Sequence, residues 1–531
     1  MADDLLLLAE ARDRVSALRE TLEANDGSPV RLIETHVSWV LLTHRLAYKF
    51  KKPVRLPFLD LTRLAERRRC CDEELRLNRR FAPDLYLDVI EVREGPQGPC
   101  LGGSGPLVDV AVRMRRFPDG ALWSERVGAG TLLPAQVDSF AGRLAALHRE
   151  APVAPPDSSF GSSTVHRGLV NGLVGAIDSW QASLPAPHPG WPRVRRWLDE
   201  ELDRLESHWL ARLRDGRVRE CHGDLHLGNV LQAGDEAIAF DALEFAVELR
   251  WIDPLDDLAF LVMDLHANGR HDLALRLLNA YLEASGDYDG LPALRFFLVT
   301  RALVRAQVCT LLPSRGDAGG ATPSAATAYL ELACEIARTA DRRLAITHGL
   351  PGSGKTFVAK AIAEEVGAIR VRSDVERKRL FGLSSLQSSQ ARGGGPIYDA
   401  SATERTYARL LAVARTALLA DWPTIVDAAF LRRAERTGFR ALAAALDAPF
   451  TILDCRTEPA LLRQRIAARQ VRGDDASEAD LDVLKRLAPL DEPLDDGEAA
   501  LAIVCDAESS QQPATLGRRW REVGPLQRWW T

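Results

Sequence analysis

The sequence predicts an α+β domain followed by an α/β domain that is built on a parallel sheet. Three observations predict this fold class. The chain has 531 residues, which is more than one ordinary domain contains. Short strand-like runs and long helical stretches fill the chain before residue 340, whereas strands and helices alternate after it. A Gly-rich segment at residues 349–356 lies between a predicted strand and a predicted helix.

The composition is typical of a soluble globular protein, with 46% hydrophobic residues. The net charge of −6 gives no general basic field for nucleic acid. No apolar run reaches the length of a transmembrane helix, and the acidic N-terminus differs from a signal peptide. The eight cysteines form no CxxC pair. We therefore expect a reduced, cytoplasmic protein with no nucleic-acid or membrane partner, whereas the sequence does not indicate an oligomeric state.

The N-terminal half is predicted to begin with a polar helix over residues 1–30. Strand-like runs are predicted after it, at residues 39–42, 46–50, 86–92 and 108–114. Helices are predicted at residues 64–80, 130–215 and 250–310, and a strand–turn–strand hairpin at residues 230–240.

The segment CHGDLHLGNVL at residues 221–231 carries the strongest N-terminal signal. Asp224 and Asn229 are five positions apart, which is the spacing of a kinase catalytic loop. Asp224 is the candidate catalytic base, because a carboxylate beside a hydroxyl can orient it and accept its proton. Asn229 and Asp241 are the candidate Mg²⁺ ligands, since the predicted hairpin returns Asp241 to Asn229. His222 and His226 could bind a metal, but we expect them to brace the loop by hydrogen bonds.

The HGDLHxGN string resembles the aminoglycoside phosphotransferase family, which implies a protein-kinase-like fold for most of residues 30–340. The resemblance implies that residues 46–50 form the small-lobe strand whose lysine contacts the phosphates of ATP. Lys49 and Lys51 share one face of that strand, so their spacing leaves both open, and we favour Lys49.

Glu74 is the predicted helix partner of this ATP-binding lysine, with Glu73 as the close alternative. Either glutamate could instead be a solvated surface charge. Residues 112–117 would form the hinge strand that offers backbone groups to adenine.

Two departures from the kinase pattern bear on function. No GxGxxG loop precedes Lys49, and Thr43-His44-Arg45 occupies the corresponding turn. The metal motif Asp241-Ala242-Leu243-Glu244 lacks the glycine of DFG. The first departure gives little support for a loop that covers the phosphates in this lobe. The second argues against a mobile activation loop, which favours a small-molecule kinase over a regulated protein kinase.

Residues 313–324 are rich in proline, glycine and serine and are predicted to be flexible. An amphipathic helix is predicted at residues 325–340, where it could close the first domain. The domain boundary is therefore placed near Asp341, which gives domains of residues 1–340 and 341–531.

The C-terminal half opens with a full match to the P-loop pattern GxxxxGK[ST]. Its eight positions are Gly349, Leu350, Pro351, Gly352, Ser353, Gly354, Lys355 and Thr356. Glycines allow successive backbone N–H groups to surround phosphate oxygens, and the helix N-terminus adds positive charge. We expect Lys355 to contact the β- and γ-phosphates of ATP and Thr356 to bind Mg²⁺. A chance Gly-rich turn is the alternative.

The remaining C-terminal pattern predicts a parallel α/β sheet. Its further strand-like runs lie at residues 368–371, 424–426, 450–453 and 501–504. Asp427 ends one of these strands and is the candidate Walker B ligand of Mg²⁺, although an ordinary strand-end Asp is the alternative.

Asp374 follows the second strand of this sheet. It is a candidate catalytic base, because the corresponding Asp of small P-loop kinases accepts the substrate hydroxyl proton; a helix N-cap is the alternative. Arg465 and Arg469 lie four positions apart on one helical face. They suit a lid that clamps the transferred phosphate, but a solvated basic face is the alternative.

The motifs HGLPGSGKT, RSDVERKRLFG and IVDAAFL resemble a bacterial P-loop NTPase family of the zeta-toxin and gluconate-kinase type, over about 190 residues. The whole arrangement also includes ETHVSWVLL, YKFKKP, EELRLNRR and HGDLHLGN. It resembles bacterial bifunctional proteins named aminoglycoside phosphotransferase/ATP-binding proteins. In these, an aminoglycoside phosphotransferase-like kinase domain is fused to a P-loop AAA-type, zeta-toxin-like kinase domain.

The leading functional hypothesis is a bifunctional enzyme with two ATP sites, each transferring phosphate from ATP, with Mg²⁺, to a small hydroxylated molecule. One alternative is a regulatory protein in which one ATP site senses nucleotide and only the other is catalytic. A scaffold with relic motifs is the third hypothesis, and the complete motif sets argue against it. Aminoglycosides are not expected to be the native acceptors, although Asp253, Asp256 and Asp257 could supply some of the negative charge such polycations need.

Overall fold

A computed structural model describes residues 2–56, 59–311, 323–338, 340–389, 397, 399–472, 475–506 and 513–523. The chain forms two compact units. The first contains Met1–Phe140, Leu147–Val165 and Arg212–Leu261, and the second contains Ala141–Ala146, His166–Ala211 and Val262–Thr531. The boundary near Asp341 stays a prediction. Most of the predicted flexible run, residues 313–322, lies outside the described residues. Among the described residues, no helix combines the length and apolar composition needed to cross a bilayer.

A six-stranded antiparallel sheet with the order β1-β2-β3-β8-β6-β7 dominates the first unit. Its strands are β1 (Arg31–Glu34), β2 (Ser38–Leu42), β3 (Leu46–Lys51), β6 (Tyr86–Gly95), β7 (Gly98–Leu101) and β8 (Leu107–Arg115). The four strands predicted from the sequence are all present. The structure adds β1 and β7, which are short edge strands of four residues each.

Two helices cover the two faces of this sheet, α1 (Ala2–Asp26) and α2 (Leu64–Phe81). Tyr48 and Phe50 of β3 share a core with α1, whereas Ala47 shares a core with Cys71 of α2. Because side chains alternate along a strand, Lys49 and Lys51 project to the α2 face with Ala47. The sheet therefore presents both candidate lysines to the helix that carries Glu73 and Glu74.

The rest of the first unit consists of short hairpins and helices around the predicted catalytic loop. Its remaining strands are β4 (Arg55–Leu56), β5 (Leu59–Asp60), β9 (Arg219–Glu220), β10 (Val230–Ala233), β11 (Glu236–Ala239) and β12 (Trp251–Ile252). It also contains α3 (Trp123–Gly128), while α4 (Pro134–Glu150) and α8 (Pro254–Ala267) contain residues of both units. The predicted hairpin is confirmed, since β10 pairs with β11 in antiparallel register.

The second unit contains a five-stranded parallel sheet with the order β14-β15-β13-β16-β17. The strands are β13 (Leu344–His348), β14 (Ile369–Arg372), β15 (Thr424–Asp427), β16 (Phe450–Arg456) and β17 (Ala502–Asp506). All five were predicted as strands, and the predicted parallel sheet is confirmed. Crossover helices connect parallel strands because a hairpin cannot.

The remaining helices lie wholly or mostly in the second unit and fall into two groups. The first group precedes the parallel sheet in the chain: α5 (Ser163–Ser183), α6 (Trp191–Arg204), α7 (Glu206–Arg214), α9 (His271–Ser285), α10 (Leu291–Leu311) and α11 (Pro323–Arg338). The second group belongs to the sheet: α12 (Lys355–Val366), α13 (Ser373–Leu380), α14 (Ala400–Leu419), α15 (Arg433–Ala445), α16 (Pro459–Arg472), α17 (Leu481–Leu487), α18 (Asp496–Ala499) and α19 (Pro513–Glu522). Helices α12 and α19 bury their apolar faces against the sheet.

Candidate active sites

The predicted catalytic loop follows β9 and ends in a single 3-10 turn at Leu227–Asn229. The amide nitrogen of Asn229 donates to the backbone oxygen of Asp224 at 2.9 Å and to its carboxylate at 3.1 Å. These bonds turn the amide oxygen of Asn229 away from Asp224. The side chain of Asp224 is 39% exposed, so its carboxylate can reach a hydroxyl from solvent.

The histidines of this loop brace it, as the sequence predicted. His226 caps the 3-10 turn, since its Nδ1 accepts a hydrogen bond from the backbone of Gly228 at 3.0 Å. His222 is fully buried, and its Nε2 lies 2.8 Å from the backbone oxygen of Phe240. Burial lowers the pKa of His222, although nearby Asp257 opposes this effect.

Asp257 is a loop-bracing residue that the sequence reasoning missed. Its carboxylate accepts hydrogen bonds from the backbone N–H groups of Gly223 at 2.8 Å and His222 at 3.0 Å, and Nε2 of His148 lies 3.1 Å away. Asp253 forms a two-pronged ion pair with Arg212, at 2.6 and 2.7 Å. The expectation that Asp253, Asp256 and Asp257 supply negative charge to an acceptor pocket is therefore wrong, because all three are buried.

Among the described residues, one group of three ligand-type side chains stands close together: His148, Cys221 and Asp257 lie within 4.8 Å of one another. Burial, followed by the charge of Asp257, raises the pKa of the Cys221 thiol well above its usual value. A thiol must lose its proton to bind a metal. Because Asp257 already accepts backbone hydrogen bonds from the predicted catalytic loop, we interpret His148, Cys221 and Asp257 as residues that hold this loop in place rather than as metal ligands.

Both candidate lysines contact Glu74. Lys49 Nζ lies 2.9 Å from Glu74 Oε1 and also contacts the carboxylate of Asp241. Lys51 Nζ contacts Glu74 Oε2 and lies 2.5 Å from Glu244 Oε1. Only Lys49 therefore joins Glu74 to the candidate metal ligand, whereas Lys51 joins it to Glu244.

Glu73 has different partners, which distinguishes it from Glu74. Its carboxylate pairs with Arg76 at 2.8 Å and with Arg250 at 2.5 Å. Glu74 is completely buried, and its pKa is lowered: burial alone would raise it, but Lys49 and Lys51 more than offset that effect. Burial alone would likewise lower the pKa of Lys49, but Asp241 and Glu74 raise it well above its usual value.

Asp241 stands directly after the β10–β11 hairpin. The backbone N–H of Phe240 donates to the backbone oxygen of Asn229 at 3.0 Å, so the hairpin returns the chain to Asn229 as predicted. Asp241 has a left-handed φ of 63°, and its N–H donates to the hydroxyl of Tyr86 at 3.1 Å. The freed amide oxygen of Asn229 and the half-exposed carboxylate of Asp241 are the hard oxygen donors that Mg²⁺ prefers.

The turn before Lys49 is short, as the missing Gly-rich loop implied. Thr43 closes it, because its backbone N–H donates to the oxygen of Leu46 at 2.9 Å while its hydroxyl accepts from the N–H of Leu46 at 3.1 Å. No long loop between β2 and β3 extends over the lysine.

The P-loop connects β13 to α12 in the second unit. Gly349 has a φ of 138°, and a side chain there would meet the backbone oxygen of Cys455 at 2.6 Å. Only glycine fits this position. Lys355 is the first residue of α12, and its Nζ donates to the backbone oxygen of Leu350 at 2.8 Å. Burial lowers the pKa of Lys355, and the charge of Asp427 opposes that effect.

Asp427 ends β15 beside the P-loop and is buried. It shares a side-chain hydrogen bond with Thr356, and burial raises its pKa although Arg372 opposes the effect. Its Oδ2 has no hydrogen-bond partner among the described residues, and the nearest cation, Nε of Arg372, is 3.9 Å away. An unpartnered buried carboxylate oxygen next to a threonine hydroxyl fits a Mg²⁺ ligand pair.

A cavity of about 1330 Å³ opens over the P-loop. It is lined by Lys355, Thr356, Asp374, Asp427, Arg465 and Arg469, so the structure brings these predicted side chains together, whereas Gly349, Leu350 and Ser353 of the P-loop are not among the residues that line it. Arg465 points to the backbone oxygen of Gly352 at 3.5 Å, and Arg469 donates to that of Ala479 at 2.6 Å. Neither arginine therefore lies on a purely solvated face.

Asp374 is the second residue of α13, and Arg372 occupies the N-cap position. The alternative that Asp374 is an N-cap is therefore wrong, and its half-buried side chain lines the cavity instead. Arg372 lines the same cavity and is a site residue that the sequence reasoning missed. The signal for it was present, since it directly precedes Ser373-Asp374 at the end of β14.

Comparisons with known proteins match a separate family to each half of the chain. The phosphotransferase enzyme family APH matches residues 54–297, and an AAA domain family, AAA_33, matches residues 344–493. Uncharacterized protein Rv2004c of Mycobacterium tuberculosis (strain ATCC 25618 / H37Rv) is 30% identical over 455 residues, which cover 84% of this chain and 87% of that protein. Uncharacterized protein Mb2027c of Mycobacterium bovis (strain ATCC BAA-935 / AF2122/97) matches equally.

The chain belongs to this family of fused phosphotransferase and P-loop kinase-type proteins. The chain, referred to below as the fused kinase, is thus an enzyme of the phosphotransferase class, and both predicted fold classes are confirmed. The N-terminal match contains Glu74, Asp224, Asn229 and Asp241, while Lys49 precedes it.

Two of the solved structures to which this chain is similar are named as kinases. A choline/ethanolamine kinase family protein from Mesorhizobium loti is 14% identical, with a TM-score of 0.39, over 61% of this chain and 95% of that chain. A gluconokinase from Sinorhizobium meliloti 1021 is 19% identical, with a TM-score of 0.24, over 35% of this chain and 95% of that chain.

Proposed function

We propose that the fused kinase transfers the γ-phosphate of ATP to small hydroxylated molecules at two separate MgATP sites. The observation that carries this proposal is the presence of one complete residue set in each compact unit. Each set contains a lysine for phosphate, oxygen ligands for Mg²⁺ and a carboxylate suited to act as base. Neither set takes any of these groups from the other unit.

At the N-terminal site, Lys49 holds the ATP phosphates and Glu74 holds Lys49 in place. Asn229 and Asp241 would bind Mg²⁺, which would neutralise charge on the phosphates when bound. Asp224 orients the acceptor hydroxyl and accepts its proton as the oxygen attacks the γ-phosphorus. The buried brace from Asp257 keeps the backbone of this loop in position.

At the P-loop site, the backbone N–H groups of residues 349–356 surround the phosphates and Lys355 neutralises their charge. Thr356 and Asp427 would hold Mg²⁺, which supplies the same charge neutralisation as at the other site. Asp374 serves as base, while Arg465 and Arg469 stabilise negative charge on the transferred group.

The acceptors at the N-terminal site are proposed to be hydroxylated molecules other than aminoglycosides. A polycationic acceptor needs a surface rich in free carboxylates. Asp253, Asp256 and Asp257, the acids that the sequence offered for such a surface, are buried. Catalytic efficiency toward an aminoglycoside near the ordinary enzyme scale, about 10⁴ M⁻¹s⁻¹ or better, would contradict this part of the proposal.

The test is a transfer assay on the full chain with γ-labelled ATP and a library of hydroxylated metabolites. Asp224→Ala should abolish one set of labelled products while leaving MgATP binding largely intact, because a base acts in the chemical step. Lys355→Ala should abolish a different set. Asp235→Ala, in the exposed hairpin turn, is the control. If one variant abolishes every product and the other none, the regulatory alternative holds; unchanged products in both variants would refute both site assignments.

A further inference from the structure

Helix α9 lies against the edge strand of the parallel sheet. Among the strands that the structure describes, this strand, β14, pairs only with β15; it ends at Arg372 and leads directly into Ser373 and Asp374. The helix belongs to the part of the chain matched by the phosphotransferase family and precedes the P-loop segment by about 60 residues. Both elements belong to the second compact unit.

Asn279 of α9 takes the place of a neighbouring strand. Its Oδ1 accepts a hydrogen bond from the backbone N–H of Arg370 at 2.7 Å, and its Nδ2 donates to the backbone oxygen of Ala368 at 2.9 Å. A buried edge strand needs such partners for its backbone groups. The side chain of Asn279 therefore ties the backbone at the start of β14 to helix α9.

Glu283, one turn further along α9, bridges two arginines of β14. Its carboxylate oxygens lie 2.9 Å from Nη2 of Arg370 and 2.9 Å from Nη1 of Arg372. The other side of Arg372 faces the active site, with Nη2 2.9 Å from Asp475 and Nε 3.9 Å from Asp427. Arg372 is thus held between Glu283, Asp475 and the candidate Mg²⁺ ligand.

The end of α9 also contacts the helix that carries Asp374. Arg379 of α13 donates to the backbone oxygen of Glu283. Gly286 caps α9 with a left-handed φ of 73°, and a side chain there would collide with Arg379. Helix α9 therefore contacts the chain both before Asp374, at β14, and after it, at Arg379 of α13.

We propose that Glu283 is a positioning residue of the P-loop site, which holds Arg372 beside Asp427 and offsets its charge so that Asp427 can bind Mg²⁺. This inference rests on the proposed function of that site. Without the carboxylate of Glu283, Arg372 would keep Asp475 as a partner, but more of its positive charge would act on Asp427. A cation beside a metal ligand weakens the ligand's hold on Mg²⁺. Partners of metal ligands that are themselves not ligands typically change metal affinity by about 10- to 100-fold.

The test measures ATP affinity by calorimetry, once in excess Mg²⁺ and once in EDTA. The full chain is used, with Asn229→Ala/Asp241→Ala removing the other site. In this background, Glu283→Gln should lower the enhancement of ATP affinity by Mg²⁺ about tenfold. The affinity for ATP in EDTA should stay within about threefold, because Lys355 and the P-loop backbone are untouched. Loss of folding would weaken both affinities together.

Glu364→Gln is the matched control. Glu364 pairs with Arg276 of α9 at 3.3 Å, but it is not among the residues that line the cavity. Its removal should leave the Mg²⁺ enhancement unchanged. An equal decrease in both variants would mean that α9 acts only through packing, which would overturn the proposal.

Glu283→Asp provides a second variant if the glutamine variant does not fold. It keeps the charge but shortens the reach, so we expect a decrease in the Mg²⁺ enhancement that is above twofold and smaller than that of a neutral side chain. An unchanged enhancement in Glu283→Gln, or in Glu283→Asp where only that variant folds, would overturn the role of Glu283. A background protein that binds no ATP in Mg²⁺ would instead refute the proposed P-loop site itself.

Discussion

Replacing Asp257 by asparagine tests how the catalytic loop is held. The carboxylate accepts three hydrogen bonds, from the backbone N–H groups of His222 and Gly223 and from the ring of His148. Asparagine has nearly the same shape but only one oxygen. Its amide nitrogen must therefore face at least one buried N–H donor.

The size of the effect follows from these contacts. One buried backbone N–H left without an acceptor costs about 1–3 kcal/mol. The remaining bonds lose their charged acceptor, and hydrogen bonds to charged groups contribute about 1 kcal/mol more each than neutral ones. With one bond lost and two weakened, we expect Asp257→Asn to reduce the free energy of local opening at this loop by about 3–5 kcal/mol.

Amide hydrogen exchange of the full chain measures this effect, at the N–H groups of His222 and Gly223. Both should exchange much faster in Asp257→Asn, while the amides of the P-loop helix α12 keep their rates. Asp235→Asn, in the exposed β10–β11 turn, is the control and should change neither. Unaltered exchange at His222 and Gly223 in Asp257→Asn would refute the bracing role.

Three further predictions follow from burial and charge. Glu74→Gln should lower the free energy of unfolding by about 3–5 kcal/mol in denaturant, because it removes the carboxylate shared by two buried ammonium groups and leaves Lys49 with Asp241 and Lys51 with Glu244. Glu73→Gln, at a partly exposed side chain, should cost about 1 kcal/mol or less, and equal costs would contradict the assignment. Because burial raises the pKa of Asp427 and Mg²⁺ needs its carboxylate, the Mg²⁺ enhancement of ATP affinity at the P-loop site should fall on acidification, beginning above the pH at which an ordinary aspartate titrates. Asp427→Asn should remove this pH dependence. Burial, with the neighbouring His271, lowers the pKa of His266 from 6.5 to about 2, so the unfolded chain binds a proton that the native state does not. Stability should therefore decrease below pH 6.5, by about 1.4 kcal/mol at pH 5.5 for this group, and His266→Gln should show a smaller decrease in denaturant titrations.

Local sequence patterns predicted the features that depend on neighbouring residues. The P-loop pattern identified the turn at Gly349, because a left-handed glycine and the helix that starts at Lys355 are encoded within eight positions. The Asp224–Asn229 spacing likewise located the loop that carries the candidate base and one candidate Mg²⁺ ligand. Strand β1 was missed because its mostly exposed side chains lack the apolar alternation of a half-buried strand.

Residues that act across long stretches of chain could not be found this way. Asp257 supports a backbone segment more than 30 positions earlier, and its sequence context is an ordinary acidic helix start. Glu283 lies almost 90 positions before Arg372, and no spacing rule relates a helix end to the edge of a parallel sheet. The choice between Glu73 and Glu74 also required the fold, since only the packing of α2 on the sheet decides which of two adjacent side chains is buried.

Calorimetric titration of the full chain with MgATP tests the central claim of two separate sites most directly. Wild type should bind two equivalents of ATP. Lys355→Ala should bind one, because its charge would lie against the β- and γ-phosphates at the P-loop site, and Asn229→Ala/Asp241→Ala should also bind one. A single equivalent in wild type that is lost completely in either variant would mean one composite site and would contradict the account.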